Sequence, residues 1–155
     1  MSDCYHDPMS VNWQAYGNRF RRLVIADPRV SEFLRARQFP SAVEGPCRMV
    51  AEGLRRALGR GELVACCVWC GARRQWTATH VALRINRKTL LDANGAHTPE
   101  ELKDLTWSDG WFRQSGYHNP AWSLRSWDED FARPLSWCES GVELFAELAA
   151  KALNK

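Results

Sequence analysis

Three residues in this chain are of the types a thiol acyl-transfer site needs: Cys47, His80 and Asp92. Cys47 stands in Gly45-Pro46-Cys47-Arg48-Met49-Val50, His80 in Thr79-His80-Val81-Ala82-Leu83, and Asp92 in Leu90-Leu91-Asp92-Ala93. A free thiol titrates near ~8.5 and is mostly protonated at neutral pH. The first turn of a helix, with its unpaired N–H groups and partial positive charge, favours the thiolate. An imidazole beside the sulfur forms an ion pair that deepens the shift. A carboxylate then fixes the tautomer and orientation of the ring. In that scheme Cys47 is the nucleophile, His80 the general base and acid, and Asp92 the orienter. The helix-terminal N–H groups would hold an oxyanion. Gly45 has no side chain to block an approaching substrate backbone.

Singly, each residue has an ordinary explanation as a buried cysteine, a strand histidine or a turn aspartate. The joint pattern carries the reading, and it depends on the elements. Trp13, Tyr16 and Phe20 lie at helical spacing within a predicted helix over 10–25. Asp27-Pro28 ends that helix or opens a second short one bearing Val30, Phe33 and Leu34. Residues 38–46 read as a loop broken by Pro40, Gly45 and Pro46. A third helix runs from Pro46 or Cys47 to Leu58, with Pro46 suited to its first turn and Gly59-Arg60-Gly61 as its stop.

Strands are expected over 63–70, 75–85 and 89–92, with a turn at Asn86-Arg87-Lys88. Val81, Leu83 and Ile85 alternate against His80, Ala82 and Arg84. His80 and Asp92 then lie on adjacent antiparallel strands, within reach of one another. Thr98-Pro99-Glu100-Glu101 is a capping box opening a short helix to Leu105. One short strand is expected among the tryptophans of 106–137, and an amphipathic helix over 140–153 closes the chain.

A length of 155 residues fits a single domain, 1–155, with 1–9 a loose tail. Apolar residues at 45% and charged residues at 25% are ordinary for a globular protein. The formal charge is only +3, and the arginines fall in short pairs, Arg21-Arg22, Arg55-Arg56 and Arg73-Arg74, which argues against a nucleic-acid surface. No apolar run approaches the ~20 residues of a membrane span, and the first residues lack a signal-peptide pattern. A cytoplasmic location and free thiols are the expectation.

Cys66-Cys67-Val68-Trp69-Cys70 contains a C-x-x-C, but it falls within a strand instead of opening a helix. Alternation puts Cys66 and Cys70 on one face and Cys67 on the other, which suits packing better than chelation. Cys4, His6, His97 and Cys138 could add zinc ligands, but there is no second close pair, so no metal is expected. His97 is also a weaker alternative base. The tryptophans could pack over the sheet or line a substrate groove beside Cys47. The groove candidates are Gly45, Trp111, His118 and Trp122.

On these residues, 45–105 resemble the papain-like cysteine hydrolase superfamily, in its NlpC-like and transglutaminase-like small bacterial or phage members. The resemblance covers about 60 residues and rests on the helix-borne Cys47, the strand-borne His80 and Asp92 on the next strand. It implies an α+β fold with the nucleophile helix packed on a small antiparallel sheet, N-terminal helices and a C-terminal amphipathic helix. It also implies acyl transfer on an amide, ester or isopeptide bond, without a cofactor, on a protein or peptide-like substrate. Papain-like peptidases place a glutamine a few residues before the cysteine. Here the nearest is Gln38, nine positions away, which makes it the candidate second oxyanion donor. The aromatic those peptidases often carry after the cysteine is replaced by Arg48. The competing readings are a non-enzymatic interaction or inhibitor protein, phage- or host-directed, on the same fold, and a toxin or effector enzyme acting on a host protein.

Overall fold

Helix caps and glycine stops set the element boundaries. The computed structural model describes residues 11–70, 74–108, 122–127 and 137–154. Within them α1 spans Trp13–Ala26, α2 Pro28–Ala36 and α3 Cys47–Leu58. The strands β1 Glu62–Cys70, β2 Gln75–Asn86, β3 Thr89–Asp92 and β4 Gly95–His97 follow. Then come α4 Pro99–Ser108, β5 Trp122–Ser126 and α5 Glu139–Leu153. The fold is α+β, and the sheet is antiparallel throughout in the order β4-β3-β2-β1-β5. No helix among the described residues is long and apolar enough to cross a membrane. The loose tail expected at 1–9 lies outside the described residues.

Asp27 does both jobs expected of the Asp27-Pro28 break. Its N–H donates to the Leu23 carbonyl at the end of α1, and its side chain accepts from the Arg29 N–H to open α2. Gly59 ends α3 in the left-handed region at φ 68°, where a Cβ would be strained. The capping box of α4 is reciprocal: the Thr98 N–H donates to Glu101 Oε1 at 2.9 Å, and the Glu101 N–H to Thr98 Oγ1 at 3.1 Å. Pro46 is the N-cap of α3, one position earlier than a first-turn proline, so Cys47 is itself the first helical residue.

The main core lies between α1, α3, α5 and one face of the sheet. Tyr16, Phe20, Met49, Val50, Leu54, Leu83, Leu91, Phe145 and Leu148 are its largest buried side chains. At Gly53 a Cβ would lie 2.8 Å from the Ala146 backbone nitrogen, so α3 and α5 touch through their backbones. The Tyr16 hydroxyl donates to the Ala149 carbonyl at 2.8 Å and ties α1 to α5. The buried Glu52 carboxylate accepts from Arg55 and Arg56, and Arg56 also bonds Glu139 at the start of α5. These contacts hold α3, and with it the helix start bearing Cys47.

A second cluster, Val64, Cys66, Ala82, Leu90 and Leu102 with Trp122 and Leu124, joins the sheet to α4. The ladder between β2 and β3 shifts register between Arg84 and Asn86, and that between β1 and β2 shifts beside His80. Cys66 pairs with His80 but Cys67 pairs with Ala78, so Thr79 is an extra residue in β2. Ala65 and Cys67 share a face, and their partners Val81 and Ala78 therefore share it too. Bulges bend a strand and sharpen its twist. The Thr79 hydroxyl, donating to the Cys66 carbonyl at 3.0 Å, pins this one.

Candidate active site

Cys47 opens α3 with its side chain in a small cluster with Ala51 and Val81, against which Leu63 and Trp127 pack. It is 5% exposed. The sulfur lies close to the His80 ring and to the backbone N–H groups of Arg48, in its own first turn, and of Val81, on the bulged strand. Both the helix start and β2 thus turn donors toward the sulfur.

Three neighbouring strands supply the remaining polar groups. Leu83 pairs with Leu91 and Arg84 with Leu90, which places Asp92 opposite Ala82 and diagonal to His80. Across the other edge of β3, His97 pairs with Leu90 and is likewise diagonal to Asp92. Diagonal neighbours on one face are within reach of long side chains. His80 Nε2 lies 2.9 Å from Asp92 Oδ2, and His97 Nε2 lies 2.9 Å from Asp92 Oδ1. The Asn94 N–H also donates to Oδ1 at 2.9 Å. An ionised carboxylate only accepts, so both rings carry their proton on Nε2. With Nε2 turned to Asp92, Nδ1 is the His80 nitrogen left for the sulfur.

The electrostatics follow from those contacts. Burial opposes ionisation of Cys47, but the His80 ring with its charge and the Val81 and Arg48 N–H groups outweigh it, and the thiol is lowered. Burial also opposes the imidazolium of His80, yet Asp92 and the Cys47 thiolate raise it to about 10. Asp92 is buried, which by itself would raise it; His80 and His97 hold it well below the ordinary carboxylate range instead. The favoured state is a thiolate–imidazolium pair backed by a carboxylate, whose two titrations belong to the pair.

Among the described residues no group of three or more histidines, cysteines or acids is placed to hold a metal ion. The His80 and His97 Nε2 atoms point to separate oxygens of one carboxylate and do not converge on a common point. Cys66 and Cys67 are both buried strand residues packed in separate clusters. Of the other zinc candidates, Cys4 and His6 lie outside the described residues, and the Cys138 thiol lies 3.9 Å from the Met49 sulfur.

Cys47, His80 and Asp92 thus come together. Gln38 is exposed in the turn after α2, at φ 60°, with its N–H on the Arg35 carbonyl. Gly45 has φ 120°, and the space a Cβ would take is filled by the Phe39 ring, 2.2 Å from that position. Trp122 packs on the sheet beside Val64, Cys66 and Leu102. Trp111 and His118 lie outside the described residues. Arg48 has its guanidinium 5.0 Å from the Trp127 ring centroid and 4.6 Å from that of Trp137. Such contacts are cation–π pairs, and they place two tryptophans of the aromatic-rich segment beside the residue that follows the nucleophile. The His97–Asp92 bond had no clear signal in the sequence beyond the separation of the two residues, since β4 itself was not expected. No family model, curated protein or solved structure matches this chain.

Proposed function

We propose that this chain is a cysteine hydrolase or acyltransferase that acts on an amide, ester or isopeptide bond through Cys47, His80 and Asp92, on a papain-like arrangement of helix and sheet. The observation that carries the reading is the continuous chain of contacts from the Cys47 sulfur through the His80 ring to Asp92. Nothing in core packing requires a buried thiol, imidazole and carboxylate to align in that order.

In the proposed reaction the Cys47 thiolate attacks the acyl carbon and the carbonyl oxygen takes the negative charge. N–H groups of the first turn of α3 stabilise it. The His80 imidazolium gives its proton to the leaving amine or alcohol as the tetrahedral species collapses to a thioester. Neutral His80 then takes a proton from water or an acceptor amine, which attacks the thioester and releases Cys47. Asp92 holds the Nε2–H tautomer throughout and stabilises the imidazolium.

The test is iodoacetamide labelling of Cys47 across pH, followed by mass spectrometry. Cys47 is expected to label at a pH well below that of an ordinary thiol. A normal thiol titration at Cys47 would sink the enzyme reading. A Cys47→Ala chain that keeps its full biological effect would instead favour an interaction protein on the same fold. Capture of acyl substrates on Cys47 with thioester-trapping probes would then identify the bond.

A further inference from the structure

Orienting His80 occupies one oxygen of Asp92; the other oxygen has its own histidine. The two rings approach from opposite sides, His80 from β2 and His97 from β4, each with Nε2 at 2.9 Å. Both are well covered, with side chains 13% and 12% exposed, while that of Asp92 is 6% exposed. A carboxylate in such a place can rotate about its Cβ–Cγ bond unless both oxygens are held. The Asn94 N–H holds Oδ1 from the backbone of the same turn. His97 holds it from the next strand, which is itself anchored where α1 packs against β4 at Gly17 and Ala96.

We propose that His97 is a positioning residue of the Cys47 site, clamping Asp92 Oδ1 so that Oδ2 stays aimed at His80. The working unit would then be four residues in series, Cys47, His80, Asp92 and His97, carried by α3, β2, β3 and β4. The proposal rests on the acyl-transfer reading above. The titratable groups around it are the Cys47 thiol from α3, the Cys66 thiol from β1, His80 from β2 and His97 from β4.

The experiment compares His97→Leu and His97→Gln with the unsubstituted chain by the pH dependence of Cys47 alkylation, with circular dichroism to confirm folding. A leucine removes the donor, whereas the glutamine amide can still donate to Oδ1. His97→Leu is expected to slow alkylation at pH 6.5 about tenfold, the result of a one-unit rise in the thiol's apparent pKa. His97→Gln is expected to recover most of that rate. A folded His97→Leu chain with the unsubstituted chain's pH profile would overturn the proposal. A second readout needs no variant: 15N NMR of the histidine rings before and after carboxamidomethylation of Cys47. The His97 ring signals are expected to move when the thiolate is lost, and fixed signals would overturn the coupling. If Cys47 of the unsubstituted chain titrates as an ordinary thiol, it is the acyl-transfer reading that fails, a result distinct from either of these.

Discussion

Cys47 and Cys66 are both buried, 5% and 0% exposed, and both lie near His80, yet their thiols are driven in opposite directions. Cys66 sits in the middle of β1, paired with His80 in the ladder, and burial together with the charges of Asp92, Cys67 and Cys47 pushes its thiol up. Cys47 suffers the same desolvation at the start of α3, but the His80 ring and two backbone N–H groups more than offset it. Burial alone therefore does not make a thiol inert or reactive; the partners that remain after burial decide. Backbone neighbours in a ladder are not enough, because His80 is opposite Cys66 in register while its ring serves Cys47.

That contrast can be broken most severely at His80. His80→Ala should slow Cys47 alkylation at pH 6.5 about 100-fold or more, since losing the imidazolium leaves desolvation opposed only by the two backbone N–H groups and each unit of pKa is tenfold in thiolate. Quantitative mass spectrometry with Cys66 as internal control would read it, and equal labelling of the two thiols in the unsubstituted chain would abolish the distinction. Because His80 is raised in the folded chain, the stability it contributes is present below its ordinary value near ~6.5. It is lost as pH rises through about 10.

Asp92→Asn should act next most strongly, slowing Cys47 alkylation about tenfold and costing roughly 3 kcal/mol in urea unfolding, because the amide keeps one acceptor oxygen and leaves the other buried histidine facing an NH2 group. Asp92 is lowered in the folded chain, so its contribution to stability is present above the ordinary carboxylate value near ~3.9 and is lost as pH falls below it. The variant should lack that part of the acid-unfolding limb, which a pH series of denaturation curves would reveal.

Smaller effects are expected in β1 and at the bulge. Cys66→Ala should cost about 1 kcal/mol through the small cavity it leaves, with the Cys47 pH profile unchanged. A shifted profile would mean that Cys66 belongs to the site. Thr79→Val removes the hydroxyl that bonds the Cys66 carbonyl and should cost about 1 kcal/mol or less in the same unfolding measurement.

Much of the local structure was legible because its causes are local. The Thr98–Glu101 capping box, the Gly59 stop, the Asp27-Pro28 junction and the hairpin between β2 and β3 each follow from a few adjacent residues. The hairpin put His80 and Asp92 on adjacent strands, but the diagonal that joins them also needs the register shift between Arg84 and Asn86, without which Asp92 would fall opposite Leu83. Other features were not legible for the converse reason. Strand β4 is only three residues and exists by pairing with β3, so the turn at Ala93-Asn94 hid it. The bulge at Thr79 depends on the register against β1, which alternation within β2 does not report. Gly45 looked like an open approach, but the Phe39 ring that fills that space comes from the preceding loop.

By itself the sequence determined the α+β class, the helix that begins at Cys47 and the strands that carry His80 and Asp92, because periodicity, caps and turns act over a few residues. Only the tertiary structure decided that α3 packs with its first turn against β2 at the bulge, that Cys47 and not Cys66 receives the His80 ring, and that His97 shares Asp92. Those outcomes depend on packing between α3, α5 and the sheet, and on a desolvated balance of charges that exists only once the strands are side by side.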